Sequence, residues 1–256
     1  MSDLKLETAA PLAWLILNRP ERRNAVTSAM WQALPDMAQL IEADADVRVA
    51  LLRGAGAEAF SAGADIAEMQ SALAAPDRMR SMQDAVQVAQ DVWARLPIPT
   101  LAVIHGACAG GGCGLALACD LRLAADDSFF SIPPAKLGLV YSLADTRRLV
   151  DLVGPSFAKE MLYTGRRVSA QEAYDCGLVN HLFPARELDA AAREFALGIA
   201  ANAQNSVRGA KRVIGAIVDG AQSETPETRA WYDDAFGTPE FAEGARAFLE
   251  KRKPRF

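Results

Sequence analysis

Histidine is nearly absent: His105 and His181 are the only two in 256 residues. A histidine-ligated metal centre or a Ser-His-Asp triad has little to draw on, and no G-x-S-x-G nucleophile turn occurs. Cysteine is sparse too. Cys108, Cys113 and Cys119 follow a C-x4-C-x5-C spacing with Cys176 far behind, which fits no zinc or iron–sulfur pattern. The expectation is that the cysteines and histidines are structural and that no metal is bound. A basic excess is also missing. With 27 Lys and Arg against 32 Asp and Glu, the net charge of -5 argues against a broad nucleic-acid or membrane surface. Only the C-terminal "EKRKPRF" runs the other way, with Lys251, Arg252, Lys253 and Arg255 forming either a solvated tail or a phosphate contact.

Long apolar runs are lacking as well. "MSDLKLETAAPLAW" has an acid at its third position and no apolar centre, so it does not read as a secretory leader. Leu101 to Cys119 carries no formal charge, but it holds five glycines and His105 and is bracketed by Pro97, Pro99 and Asp120. A strand, turn and helix account for it better than a membrane span. A reducing cytoplasm is the expected location.

What is present is a globular composition, 51% hydrophobic and 23% charged. "LAWLILNRP", "RVALLRGAG" and "TLAVIHGA" read as strands. Between the first two, Met30, Leu34, Met37, Leu40 and Ile41 recur at helical spacing, with Pro35 expected to bend that helix. Between the second and third, Met79, Met82, Val86 and Val92 mark a helix ending before Pro97. "DLRLAAD" and "SFFSI" are two further strands, after which the chain is expected to be helical. A capping box, Ser169 to Glu172, opens one helix and Gly177 closes it. "SVRGAKRVIGAIVDG" and "EFAEGARAFLEKRK" read as amphipathic helices. This order predicts an α/β core over 1–199 and a C-terminal helical region over 200–256 that packs on a neighbouring subunit.

"GACAGGGCGLALACD", residues 106–120, concentrates glycine at a strand-to-helix turn. Free N–H groups and the positive end of the helix dipole favour an anionic oxygen there. The spacing lacks the G-x-G-x-x-G of a dinucleotide site and the Gly-Lys-Ser/Thr of a P-loop. An oxyanion formed during reaction, or close helix–strand packing, remains. "AFSAGADIAEM", residues 59–69, repeats the pattern of strand, glycine and helix.

With "FSAGADI", "GACAGGGCGLALACDLRLA", "LVGPSFAKEMLYTGRRVSAQEAYDCGLVNHLFP" and "FLEKRKPRF" in this order, the chain resembles the enoyl-CoA hydratase/isomerase family, the crotonase superfamily, over nearly its whole length. The resemblance implies an α/β spiral of repeated ββα units with a C-terminal trimerisation region, a trimer or dimer of trimers, and a coenzyme A thioester as substrate without a separate cofactor. By position in the motifs, it puts the two oxyanion-hole amides on Ala64 and Gly111. It assigns coenzyme A binding to the backbone of Ala62, Ala64, Asp65, Ile66 and Ala67, with Arg22, Arg23 and Lys251 as phosphate contacts.

Hydratases of the family carry two glutamates, one just after the GGGC turn and one in a following Pro-Glu pair. Gly114 and Pro134 stand in those places here. General acid–base groups contribute roughly 10²–10⁴-fold each, so ordinary water addition is disfavoured. Decarboxylation needs no base, and "PPAKLGLVYS" resembles methylmalonyl-CoA decarboxylase in its P-x-x-L-G-x-x-Y spacing, which places that enzyme's active-site tyrosine on Tyr141. That decarboxylase has a histidine at the position of Ala64 and a glutamate at that of Gly114. Other members place a working acid where Ser142 stands, and Asp145 could reach the same space from a helix beginning near Tyr141. Tyr141 and Asp145 are therefore the candidate catalytic side chains, beside a structural reading of each: wall residue and helix-terminal acid. Asp65, Glu68 and Asp120 are expected to be stabilising. A non-catalytic acyl-CoA binder is the reading from outside the enzymes.

Overall fold

The computed structural model describes residues 2–72 and 75–256. The chain opens with a hairpin of β1 (Leu4–Ala9) and β2 (Leu12–Leu17), followed by α1 (Ser28–Ala43). A unit then repeats: one strand for a large sheet, one for a small sheet, then helix. The first comprises β3 (Val49–Gly54), β4 (Ala59–Ser61), α2 (Ile66–Ala72) and α3 (Pro76–Ala94). The second is β5 (Thr100–Ile104), β6 (Ala107–Ala109) and α4 (Gly111–Ala118). The third is β7 (Leu121–Ala125), β8 (Phe129–Ser131) and α5 (Leu143–Thr164). There follow β9 (Val168–Ser169), α6 (Ala170–Asp175), β10 (His181–Phe183), α7 (Leu188–Ala200), α8 (Gln204–Val218), α9 (Pro226–Asp233) and α10 (Pro239–Leu249).

Each turn of this ββα spiral lays its strands beside those of the previous turn. The large sheet has the order β1-β2-β3-β5-β7-β10 and the small one β4-β6-β8-β9. Beyond the hairpin the large sheet is parallel, and both of its faces are covered, as parallel sheets require. The two-residue period of a strand sorts the side chains. Val49, Leu51, Leu101, Val103, Leu123 and Ala125 face a stripe of Leu188, Ala192, Ala196 and Ala200 on α7, while Ala50, Leu52, Ala102, Ile104 and Ala124 face the main core. From Gly112 to Ala118, α4 is buried all round, between the small sheet and the helices α3 and α5.

Several expectations are corrected. The chain is not purely helical after "SFFSI": β9 and β10 close the edges of the two sheets, and their two and three residues are too few to show a period. β1 and β6 are two further strands outside the expectation. The helix α1 runs through Pro35, and Leu40 is exposed rather than core. The basic tail is held, not free. Arg252 pairs with Glu243 at 2.7 Å and Glu250 at 2.6 Å, and Arg48 donates to the Phe256 carbonyl at 3.3 Å. The capping box of Ser169 and Glu172 forms as expected. Among the described residues no helix is long and apolar enough to cross a membrane, and no cluster of three metal-ligating side chains occurs.

On α8 no residue is fully buried, and Val213, Ile214, Ile217 and Val218 are exposed together with Phe241, Phe248 and Leu249 of α10. An amphipathic helix whose apolar side meets solvent lacks part of its packing within one chain.

Candidate active site

Two glycine turns meet where the small sheet ends. β4 and β6 pair in parallel, Ser61 beside Cys108, so the segments leaving them run side by side. Gly63 adopts φ 97° and Gly110 φ 51°, values that L side chains rarely reach. Space forbids a side chain as well: a Cβ on Gly63 would lie 2.9 Å from the Ala109 carbonyl oxygen and 3.2 Å from the Gly111 nitrogen.

The loop after β4 is tied down around Ala64. The Ala62 amide donates to the Arg23 carbonyl at 2.9 Å, Val26 to Gly63 at 2.8 Å, and Asp65 to Val26 at 3.1 Å. Ser61 Oγ accepts from the Gly63 amide at 3.1 Å and donates to the Asn24 carbonyl at 2.8 Å. Among the described residues neither the Ala64 nor the Gly111 amide donates to any protein acceptor. Gly111 supplies the first amide of α4, which has no intrahelical partner and sits at the positive end of the dipole. The two N–H groups are neighbours: a Cβ built on Gly111 would lie 3.7 Å from the Ala64 nitrogen. Two main-chain N–H groups without a protein acceptor among the described residues thus lie where the two glycine turns meet.

Asp65 and Glu68 brace this arrangement. Arg19 donates to Asp65 Oδ2 at 2.9 Å and to the Ala25 carbonyl at 2.8 Å, and the Arg19 hydrogen bond lowers the Asp65 carboxyl below its ordinary 3.8. Glu68 Oε2 accepts from both the amide and hydroxyl of Ser28, at 2.7 and 2.8 Å, at the start of α1. Ile66 and Ala67 open α2, Ile66 being exposed beside the donors. Arg22 and Arg23 are exposed on the adjoining turn, and the Arg23 backbone joins the 62–65 loop directly. Lys251 is elsewhere. Its amide bonds to Phe248, and the tail beyond it is fastened to Arg48 before β3, whereas the glycine turns lie past that strand's other end. Within one chain the structure does not gather Lys251 with the other predicted site residues.

Tyr141 and Asp145 stand farther along α4, with Asp145 Oδ1 3.3 Å from where a Cβ on Gly114 would lie. Ser142 caps α5: its hydroxyl accepts from the Asp145 amide at 3.0 Å and donates to Asp145 Oδ2 at 2.9 Å. Asp145 is 3% exposed. Burial raises its carboxyl above the ordinary 3.8, against the opposing pull of Ser142 and Arg148. Arg148 lies 3.4 Å from Asp145 Oδ1 and 2.6 Å from Asp91 Oδ1. The Tyr141 hydroxyl is buried, and among the described residues it has no hydrogen-bond partner. Burial, then the nearby Asp145 charge, pushes it well above the usual tyrosine range, so it stays a proton donor at neutral pH. Pro134 lies in a 3₁₀ turn, Pro134–Leu137, whose neighbours Leu139, Val140 and Leu143 are exposed.

Sequence reasoning missed two residues. Trp31 of α1 is 2% exposed and lies under Gly111, with Cζ2 3.1 Å from where a Cβ would be. Gln90 of α3 is fully buried beside Gly114 and Asp145. The signal for Gln90 was a polar residue on the apolar face formed by Val86, Gln90 and Trp93. His105 pairs with Asp189 at 2.9 Å, and Asp120 Oδ2 accepts from the Thr100 amide at 2.8 Å and Lys211 at 2.7 Å.

The family model described as enoyl-CoA hydratase/isomerase matches residues 7–256. A crotonyl-CoA hydratase from Syntrophomonas wolfei is 35% identical over 260 residues, covering 99% of this chain and 97% of the relative. Among solved structures, an enoyl-CoA hydratase/isomerase family protein from Hyphomonas neptunium superposes with TM-score 0.96 at 43% identity, covering 100% of this chain and 97% of that one. The enoyl-CoA hydratase of Bacillus anthracis gives TM-score 0.92 at 33% identity, with 100% and 99% covered.

Proposed function

This chain belongs to the enoyl-CoA hydratase/isomerase family and is an enzyme of it, and from that premise we propose that it acts on an acyl-CoA thioester through an enolate whose oxygen is held by the amides of Ala64 and Gly111. The observation that carries the reading is the adjacency of two main-chain N–H groups with no acceptor of their own. When the thioester becomes an enolate, charge gathers on the carbonyl oxygen, and donors already in place stabilise that state more than the ground state. Backbone from Ala62 to Ala67, with Arg22 and Arg23 beside it, binds the coenzyme A portion. Lys251 contributes a phosphate contact only from a second copy, in a trimer or dimer of trimers formed through residues 200–256. The assembly works in the cytoplasm and needs no cofactor beyond the coenzyme A of its substrate.

In proton chemistry, Asp145 is the acid–base group and Tyr141 the hydrogen-bond donor to the acyl part. An α C–H bond breaks toward the carboxylate, its electron pair enters the bond to the thioester carbon, and the carbonyl pair moves to the oxygen. In a 3-enoyl thioester the protonated acid then returns the proton to C4, as the oxyanion pair re-forms the carbonyl and the C3–C4 double bond shifts to C2–C3. Gly114 and Pro134 supply no carboxylate, which weighs against ordinary hydration.

A second reading is decarboxylation, favoured by the unpartnered and neutral Tyr141 hydroxyl. There the bond to the departing CO₂ supplies the electron pair, and a proton is afterwards added at the α carbon. A panel of enoyl-, 3-hydroxyacyl- and malonyl-type CoA thioesters, with products identified and binding measured on the same samples, tests both. Isomerised enoyl products support the first reading and CO₂ release the second. Tight binding without turnover identifies a binder and overturns both.

A further inference from the structure

Positions 111 and 114 are three residues apart on α4 and so share one face, that of the Gly111 donor. A Cβ at Gly114 would fall onto the terminal amide of Gln90 and lie 3.3 Å from Asp145 Oδ1. With the Gln90 amide oriented to donate, its nitrogen is 2.7 Å from Asp145 Oδ1 and 3.2 Å from Oδ2. A buried carboxyl group with both oxygens on one carboxamide is fixed in direction as well as place. The helix α3 reaches Asp145 a second time through Asp91, which holds Arg148.

We propose that Gln90 is a positioning residue of this site: its amide holds the Asp145 carboxyl group against the Gly114 turn of α4 and fills the space through which any side chain at 114 would act. The catalytic consequence rests on Asp145 being the acid–base group proposed above; the grip on Asp145 does not. The absence of a carboxylate at 114 is then a coupled feature. Replacing Gly114 alone does not restore one, because the room belongs to Gln90.

The groups facing the Asp145 carboxyl are Ser142 and Arg148 from its own helix, Gln87 and Gln90 from α3 with Asp91 behind Arg148, and Tyr141. Cys113 of α4 faces the Tyr141 hydroxyl. In the full chain labelled with ¹³C-carboxyl aspartate, the Asp145 resonance is identified by its loss in Asp145→Asn. Gln90→Leu removes the amide donor to the ionised form, so that resonance titrates about one to two pH units higher. The pH profile of kcat moves the same way while KM changes less than twofold. An unchanged titration overturns the proposal. A shifted titration with an unshifted rate profile keeps the grip of Gln90 and removes Asp145 from the chemistry. The filling of space is tested by a double-mutant cycle on thermal unfolding. Gly114→Ala lowers Tm in the natural background and lowers it by less than half as much beside Gln90→Ala, whereas additive losses count against the proposal.

Discussion

Trp31 lies directly beneath Gly111, its indole Cζ2 3.1 Å from the point where a Cβ would project. The Gly111 amide therefore sits on an aromatic floor. Trp31 is in turn held by α1, whose start is capped by Thr27 and by Glu68 on Ser28. Trp31→Ala is expected to cost about 3–5 kcal/mol of stability by cavity formation, and to lower kcat in the fraction that folds. Denaturant titration gives the first value. A loss below about 1 kcal/mol would show that the ring is not packed as described.

Gly111→Pro deletes one amide hydrogen at the first helical position, where proline is tolerated. The added Cβ lies 3.1 Å from Trp31 Cζ2, so the fold of the variant is checked before its rate. Loss of one such donor typically costs about 2.7–4 kcal/mol, so kcat on the best thioester is expected to fall about 10²–10³-fold. Circular dichroism establishes that the variant is folded. Full turnover in a folded variant removes Gly111 from the donor pair.

Asp145 and Asp65 give opposite pH signatures. Asp145 has a raised carboxyl, so between 3.8 and the folded value the native state keeps a proton that the unfolded chain has released. Stability therefore falls as pH rises through that window, and Asp145→Asn flattens the fall. For Asp65 the shift is downward, so its contribution is complete above 3.8 and is lost as pH falls below it. Asp65→Asn flattens the acid limb instead. Urea titrations across pH measure both slopes, and parallel curves for variant and natural chain count against the assigned environment.

Ile214 and Ile217, 60% and 61% exposed on α8, are expected to lie at the subunit contact. The pair of substitutions Ile214→Glu and Ile217→Glu buries two charges in such a contact, which is costly without partners. Sedimentation velocity is expected to show a trimer for the natural chain and monomer for the variant. An unaltered assembly places the contact elsewhere.

The large sheet was legible because β2, β3, β5 and β7 are apolar runs ended by glycine, proline or an acid. Of the short strands, β4 and β8 were legible in "AFSAG" and "SFFSI", whereas β6, β9 and β10 were not. β9 and β10 take their place from neighbours already formed, a tertiary effect with no local period. The glycine turns could be read because positive φ and close backbone approach both demand glycine, and those demands appear directly as residue types. Tyr141 and Asp145 were found as candidates by position. Their burial and their network were not, since Gln90, Asp91 and Arg148 converge only once α3 and α5 pack on α4. Lys251 was grouped with the site by motif alone, and the fold of a single chain leaves it apart.

The two donors leave adjacent strands of the small sheet, one per turn of the spiral, and both are main-chain atoms. Substitution anywhere else, and almost any at these positions, leaves their hydrogens in place. On the proposed reading, a lineage built on this scaffold can exchange its side-chain acids and bases wholesale while these two main-chain hydrogens are inherited intact.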